Sequence, residues 1–399
     1  MKDASLETSL PPPAGTEVPQ HIDEVTPAWL TACLRHAGAL GTGQVRSFTH
    51  VRVGQGKGFA GHLARIQLQC DEPLPETPHR LIAKFASEQD VMRGMMADMG
   101  GYEREVRFYR ELADRVGVPT PRCYLAHYDQ ERKRFLLLLE DMAPAASPGV
   151  DRGLSLEQAR VVMEQLAQLH ARWWNRTDAL PWLELDDDTI RQLRDRYQDF
   201  LPEFVAQFGD RYPTIARVAR GIGTVFDQDE WVDDIRAGPR TLAHNDMHVE
   251  NIFLPTEDGG RFAFIDWQGV GFGRHGIGDV TRILCMGMRA ELRRAHADEL
   301  LRCYHDKLTE LGVTDYPFRT LKKRYREEMM SMVIIGVLAF AAIDFEGDDS
   351  VETQKVLGER IEVAVRDAKV SQVLALVLWL IRIMRFFRRL LGRGPVKRL

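Results

Sequence analysis

From about Val51 onward, polar and apolar residues alternate and break at glycines, the period-of-two pattern of half-buried β-structure. Two apolar runs, Leu81-Ile82-Ala83-Lys84-Phe85 and Phe135-Leu136-Leu137-Leu138-Leu139, read as short buried strands. The stretch between them from Tyr102 to Leu112 predicts a helix, with Val106, Tyr109 and Leu112 on one face and charge on the other. A Pro/Ala/Gly/Ser segment from Ala143 to Gly153 ends this region. Beyond it the pattern turns mostly helical, starting at the cap and first turn Ser155-Leu156-Glu157-Gln158. The run from Met329 to Ile343 is apolar nearly all round. At about fifteen residues it is shorter than the roughly twenty needed to cross a bilayer, and it reads as a buried core helix. No internal repeat of fixed period is present.

A chain of 399 residues exceeds the size at which one hydrophobic core keeps growing, so two lobes are expected. The patterning sets their bounds: a mobile tail over 1–20, a first lobe over 21–142, a helical lobe over 143–370 and a C-terminal tail over 371–399. A formal net charge of -5 gives no reason to expect nucleic-acid binding. Cys33, Cys70, Cys123, Cys285 and Cys303 are scattered and form no Cys-x-x-Cys pair, which disfavours a disulfide framework or zinc ribbon and suits a reducing, cytoplasmic setting. The N-terminal residues are acidic and polar, followed by Pro11-Pro12-Pro13, unlike a secretory signal.

The chemistry concentrates in one segment. His244, Asp246 and Asn251 follow Thr241-Leu242-Ala243, and a strand pair separated by Glu257-Asp258-Gly259-Gly260 leads to Asp266. A carboxylate able to take a hydroxyl proton thus precedes an amide and a second carboxylate, oxygen donors suited to Mg²⁺. Phosphoryl transfer needs such a set, because its transition state is stabilised chiefly by positioning, metal and fixed cations. The spacing matches the kinase pattern His-x-Asp-x-x-x-x-Asn followed by a metal Asp. On that resemblance Asp246 is the catalytic base, Asn251 and Asp266 hold magnesium, and His244 braces the loop.

Upstream, Gly56, Gly58 and Gly61 form a Gly-x-Gly-x-x-Gly run between two strand-like segments. Such glycines let backbone approach phosphate oxygens, and the same residues also build ordinary hairpin turns. No helix opens at the end of the run, which disfavours a Rossmann fingerprint, and no Walker Gly-Lys-Ser/Thr is present. Lys84 stands inside an apolar run, where an ammonium group needs a partner. Glu105 and Glu103 are the candidates. Glu105 shares a side with Val106 and Tyr109, whereas Glu103 sits with Arg104, Arg107 and Arg110, so Glu105 is expected to make the Lys-Glu pair that holds ATP phosphates. The run ending Glu140-Asp141-Met142 resembles the hinge whose backbone binds adenine.

Together these residues resemble the aminoglycoside-phosphotransferase and choline-kinase superfamily, from roughly Val51 to Leu284. The segments Tyr102 to Tyr109, Leu138 to Met142, Leu166 to Trp174 and Asp266-Trp267-Gln268 look most like its ecdysteroid-kinase-like branch. The resemblance implies an α+β, bilobal protein-kinase-like fold with a small antiparallel-sheet N-lobe and a large helical C-lobe. It implies ATP and Mg²⁺ as cofactors and a small-molecule alcohol, steroids included, as phosphate acceptor. Asp279 is similar to the family's second aspartate, a structural support of the catalytic loop. Asn245 stands where glycine is common, and His248 is an unusual member of the loop. The alternating His244, Asp246 and His248 also admit a transition-metal reading, which leaves Lys84, Glu105 and Asp266 unexplained. An antibiotic phosphotransferase and a nucleotide-binding pseudokinase are the other functional readings.

Trp173, Trp174, Trp182, Tyr197, Phe200 and Phe204 are candidates for an acceptor pocket, though aromatic stripes at helical spacing usually pack in cores. The acidic run Glu184 to Asp188 suits a cationic acceptor or a solvated loop. Apolar residues from Val373 to Ile381 precede Arg382, Arg385, Arg388, Arg389, Arg393, Lys397 and Arg398, a basic amphipathic tail suited to docking on the helical lobe or to peripheral contact with an anionic membrane face. Oligomeric state is left open by the sequence.

Overall fold

The computed structural model describes residues 17–54, 61–184, 187–226, 238–342, 348–372, 374–375 and 379. The glycines at 56 and 58, the first sixteen residues, residues 185–186 of the acidic run and the basic tail from 380 onward lie outside the described residues. The chain divides into two units: Met1–Gly149 with Leu242–Gly271, and Val150–Thr241 with Phe272–Leu399. Residues 242–271 therefore pack with the sheet-bearing unit, whereas their place in the chain suggested the helical lobe.

The first unit is built on a five-stranded antiparallel sheet, β1 (Val45–Val53), β2 (Gly61–Cys70), β3 (Arg80–Ala86), β4 (Cys123–Asp129) and β5 (Arg134–Glu140), in the order β1-β2-β3-β5-β4. Helix α1 (Pro27–His36) opens with Pro27 in its first turn and with the Thr26 hydroxyl accepting from the Trp29 amide, which satisfies one orphan donor of that turn. Its Leu30, Cys33 and Leu34 pack with Leu81, Ala83, Phe85, Leu136 and Leu138 in one apolar core. Side chains alternate across a strand, so if Leu81, Ala83 and Phe85 face α1, Lys84 faces the other side of the sheet.

On that other side α3 (Gly101–Arg107) brings Glu105 to Lys84, and α2 (Asp90–Asp98) precedes it. The helix expected over 102–112 is not uniform: after Arg107 one wide turn of π-helix runs over Phe108–Leu112. Phe108, Tyr109 and Leu112 are all buried in this wide turn. Residues 242–271 add the end of β6 (Arg240–Ala243) and a two-residue hairpin of β7 (Ile252–Phe253) and β8 (Ala263–Phe264). The strand pair expected before Asp266 is this hairpin.

The second unit is helical. Helix α4 (Leu156–Trp173) carries the capping box expected at Ser155: its hydroxyl accepts from the Gln158 amide while Gln158 Oε1 accepts from the Ser155 amide. The unit continues with α5 (Asp187–Phe208), α6 (Pro213–Phe226), α7 (Ile277–Met286), α8 (Ala290–Glu310), α9 (Phe318–Ala342) and α10 (Asp348–Asp367). Glu362 of α10 caps α6, its two oxygens accepting from the Thr214 and Ile215 amides at 3.0 and 2.9 Å. Helix α9 contains the apolar run, with Met329, Met332, Val333, Val337 and Phe340 buried. No described helix is long and apolar enough to cross a membrane. Of the aromatic stripe, Trp173, Tyr197 and Phe204 are core residues, while Trp174 and Phe200 are half-buried.

Candidate active site

Lys84 is 6 % exposed, and its ammonium is placed by strand register beneath α3. Its Nζ donates to both Glu105 oxygens, at 2.9 and 2.8 Å, and to Asp266 Oδ1 at 2.8 Å. Of the two carboxylates on the helix, Glu105 is the one that turns inward, at 1 % exposure, while Glu103 lies near Arg107 on the outer face. Burial disfavours the Lys84 ammonium, yet the facing Asp266 and Glu105 carboxylates outweigh it and hold its pKa above the ordinary lysine value. Burial pushes Glu105 up to about 7 against the pull of Lys84.

Asp266 follows β8 in the left-handed conformation, φ 63° and ψ 65°. The next side chain, Trp267, is fully buried, donates its Nε1–H to the Phe264 carbonyl at 3.2 Å and stacks on Phe108. The wide π-helical turn and Trp267 thus lock the two chain segments that carry Glu105 and Asp266.

Around the loop 244–251 the hydrogen bonds form a closed lattice. His244 Nε2 donates to the Ile265 carbonyl at 2.9 Å, and its Nδ1 accepts the Asp246 amide at 3.3 Å. Asn251 donates Nδ2–H to the Asp246 carbonyl at 2.9 Å, which turns its amide oxygen away from that carbonyl. The Ile265 amide returns to the Asn251 carbonyl at 3.0 Å. Asn245 adopts φ 60°, a left-handed value that glycine and asparagine tolerate best. Its place where glycine is common is thereby explained by backbone geometry.

Sequence reasoning passed over three residues here. Gln268 donates Nε2–H to Asp246 Oδ2 at 3.4 Å, and its own Oε1 is buried with no hydrogen-bond partner among the described residues. Gly269 is packed so closely that a Cβ would stand 3.0 Å from the His244 carbonyl oxygen and 3.2 Å from Asp246 Cβ. The Tyr109 hydroxyl is buried without a hydrogen-bond partner among the described residues, and burial with the nearby Glu105 raises its pKa well above the ordinary phenol value. Only the position of Gln268, two residues past Asp266, marked it in the sequence.

The donor set fits a hard divalent cation: one carboxylate at Asp266, one amide oxygen at Asn251, and no thiol or imidazole between them. The transition-metal reading of His244, Asp246 and His248 does not hold. His244 is fully buried with both ring nitrogens engaged in the loop, and His248 Nε2 stands 4.0 Å from Asp246 Oδ2.

The remaining expected residues fall elsewhere. Glu140 ends β5, where its Oε2 accepts from the Arg122 amide at 3.0 Å and from Arg261. Met142 is buried, and its carbonyl accepts from the Ala145 amide at 2.9 Å. Between them the nearly buried Asp141 carboxylate, unmarked by sequence reasoning, pairs with Arg65 at 2.9 Å and Arg80 at 3.5 Å. Gly61 opens β2 against Ala86, where a Cβ would stand 2.0 Å from the Phe85 carbonyl oxygen, so the strand contact itself requires glycine. In the second unit Asp279 is wholly buried, with Oδ2 3.3 Å from His170 Nε2, and His170 Nδ1 meets the Tyr304 hydroxyl at 2.8 Å. Glu184 of the acidic run pairs with Arg240.

An uncharacterized kinase-like protein of Caenorhabditis elegans is 28% identical over 241 residues, which are 56% of this chain and 61% of that protein. The alignment thus spans less than two thirds of that relative's length. Choline kinase from Cryptosporidium parvum aligns structurally with a TM-score of 0.48 at 11% identity, covering 84% of this chain and 93% of that one. Plasmodium vivax ethanolamine kinase aligns with a TM-score of 0.46 at 10% identity, covering 81% and 83%. A sequence model of the ecdysteroid kinase-like family matches residues 55–314, well over half of the chain. By that match the α+β chain, with its antiparallel-sheet unit and helical unit, belongs to the ecdysteroid kinase-like family.

Proposed function

We propose that this chain is an ATP-dependent phosphotransferase acting on a hydroxyl of a small, largely apolar alcohol. One observation carries the reading: Lys84 is held between Glu105 and Asp266 in the same unit in which Asp246 and Asn251 share one hydrogen-bonded loop. Asp246, half-exposed and oriented by Gln268, receives the acceptor hydroxyl and takes its proton as the oxygen attacks the terminal phosphorus. The new O–P bond forms as the bond to the departing ADP oxygen breaks. Lys84 supplies a fixed positive charge for the phosphate oxygens, and Glu105 holds it in place.

Asn251 Oδ1 and the Asp266 carboxylate are the groups that would hold Mg²⁺, which when bound neutralises charge on the transferring phosphates. His244 keeps the loop in shape from the interior. Gly56 and Gly58 are proposed to cover the phosphates, with Gly61 serving the strand contact. The backbone from Glu140 to Met142 is proposed to meet adenine. Asp279 is proposed as structural support, in keeping with its full burial against His170.

The test is ATP consumption by the purified protein against a panel of alcohols, sterols, choline and aminoglycosides, with phosphorylated product identified by mass. Turnover that survives Asp246→Asn removes Asp246 from the role of base. Magnesium-dependent ATP binding without turnover on any acceptor replaces the enzyme with a nucleotide-binding regulator.

A further inference from the structure

Three side chains with metal-binding atoms meet on the α1 face of the sheet, away from Lys84, and none has a part in the phosphoryl-transfer assignment. His62 pairs in register with Phe85 and stacks on its ring, centroids 4.8 Å apart and planes within 9°. His21 stacks over His62 at 5.7 Å from just ahead of α1, and Glu88 follows β3. One ligand atom from each of the three lies within 4.8 Å of the others, and among the described residues this is the one such convergence of His, Cys, Asp or Glu.

The His62 side chain is 8% exposed, and its Nδ1 is buried with no hydrogen-bond partner among the described residues. Glu88 Oε1 stands 3.7 Å from this nitrogen, beyond a hydrogen bond. The other Glu88 oxygen is occupied by Arg52 at 2.8 Å, which holds the carboxylate with Oε1 directed at the imidazole.

We propose that His21, His62 and Glu88 form a three-ligand site for a borderline transition-metal ion of the Zn²⁺ class, clipping the segment ahead of α1 to β2 and to the chain leaving β3. Two imidazole nitrogens and one carboxylate oxygen are a common donor set for zinc with one coordination position left open, whereas magnesium takes oxygen ligands. Ligands bonded at about 2.0–2.1 Å around a tetrahedral ion stand roughly 3.4 Å apart. His62 and Glu88 are already near that spacing. His21 is exposed and caps no helix turn with its side chain, so it is the ligand free to close in.

The experiment uses the full chain stripped of metal by chelation and titrated with Co²⁺ in excess Mg²⁺. The expected result is one equivalent bound with the visible absorption of a tetrahedral site, displaced by Zn²⁺, together with a zinc-dependent rise in Tm. His21→Ala and Glu88→Gln, changes at exposed positions, should each weaken binding at least tenfold and abolish the Tm rise, and Asp266→Asn should change neither. No bound equivalent in the wild-type chain overturns the site. Affinity unaltered in His21→Ala and Glu88→Gln, or lost in Asp266→Asn, overturns it equally.

Discussion

Phe108 and Trp267 stack face to face, with ring centroids 4.0 Å apart and planes within 8° of parallel. They are the mechanical link between the helix that holds Glu105 and the turn that holds Asp266. Removing either ring opens a cavity beside the Lys84 ion pair. Phe108→Ala is expected to destabilise the fold by about 3–5 kcal/mol in chemical denaturation. Phe108→Leu should recover most of the stability but not the activity, because a branched aliphatic cannot hold the Trp267 plane.

Lys84→Met leaves Glu105 in the interior without its cation. Loss of one partner from a buried pair costs about 3–5 kcal/mol. A group whose folded pKa is raised lends stability at low pH and loses it as pH climbs from its unfolded value toward the folded one. For Glu105 that window runs from 4.5 to about 7, and without Lys84 nothing lowers it. The variant should therefore melt at a higher temperature at pH 5 than at pH 8, by a wider margin than the wild-type chain. A flat pH profile would sink the argument.

At Asp266 the two obvious substitutions are not equivalent. Both asparagine and alanine remove the charge and are expected to abolish turnover while lowering magnesium-dependent ATP affinity. Alanine must also adopt a left-handed backbone at a cost of roughly 1–2 kcal/mol, which asparagine mostly avoids. Thermal melts should rank Asp266→Asn above Asp266→Ala.

Gly269→Ala tests the loop lattice. Its methyl group would press on the His244 carbonyl and on Asp246, and these neighbours must give by a few tenths of an ångström. If Asp246 is the base proposed above, the expected outcome is a drop in kcat of at least tenfold with KM for ATP little changed, since Asp246 and not the proposed nucleotide clamp is displaced. A change in KM alone would count against it.

In the second unit His275 is 3% exposed, and burial, helped by Arg324 and Arg274, lowers its pKa to about 4. A histidine with a depressed folded pKa binds fewer protons folded than unfolded, so stability falls as pH drops from 6.5 toward 4. His275→Gln should flatten that part of the urea-midpoint profile.

What could be read in advance followed local chemistry. A lysine inside β3 announces a missing anion, and the phase of one helix separates Glu105 from Glu103; the Ser155-Gln158 box starts α4 where the cap rules place it. The π-helical turn at Phe108 was not legible, because its first residue packs on the Trp267 ring, distant in sequence, and no local pattern marks the turn. The grouping of residues 242–271 with the sheet was hidden for the same reason, as was the meeting of His21, His62 and Glu88. Strand β4 and helices α1 and α2 are short elements whose patterns say little until packed.

The left-handed backbones at Asn245 and Asp266 also bear on how this chain can evolve. Position 245 lies beside Asp246, the proposed base, and position 266 carries the proposed magnesium carboxylate, yet both draw on the same short list of residues that tolerate positive φ. At 245 that list is glycine or asparagine, and drift between them is nearly silent. At 266 backbone geometry accepts asparagine almost as readily as aspartate, so on the function proposed above a single-base change from an aspartate codon would remove the magnesium carboxylate while leaving the scaffold intact. On that reading a pseudokinase is one inconspicuous mutation away from this chain.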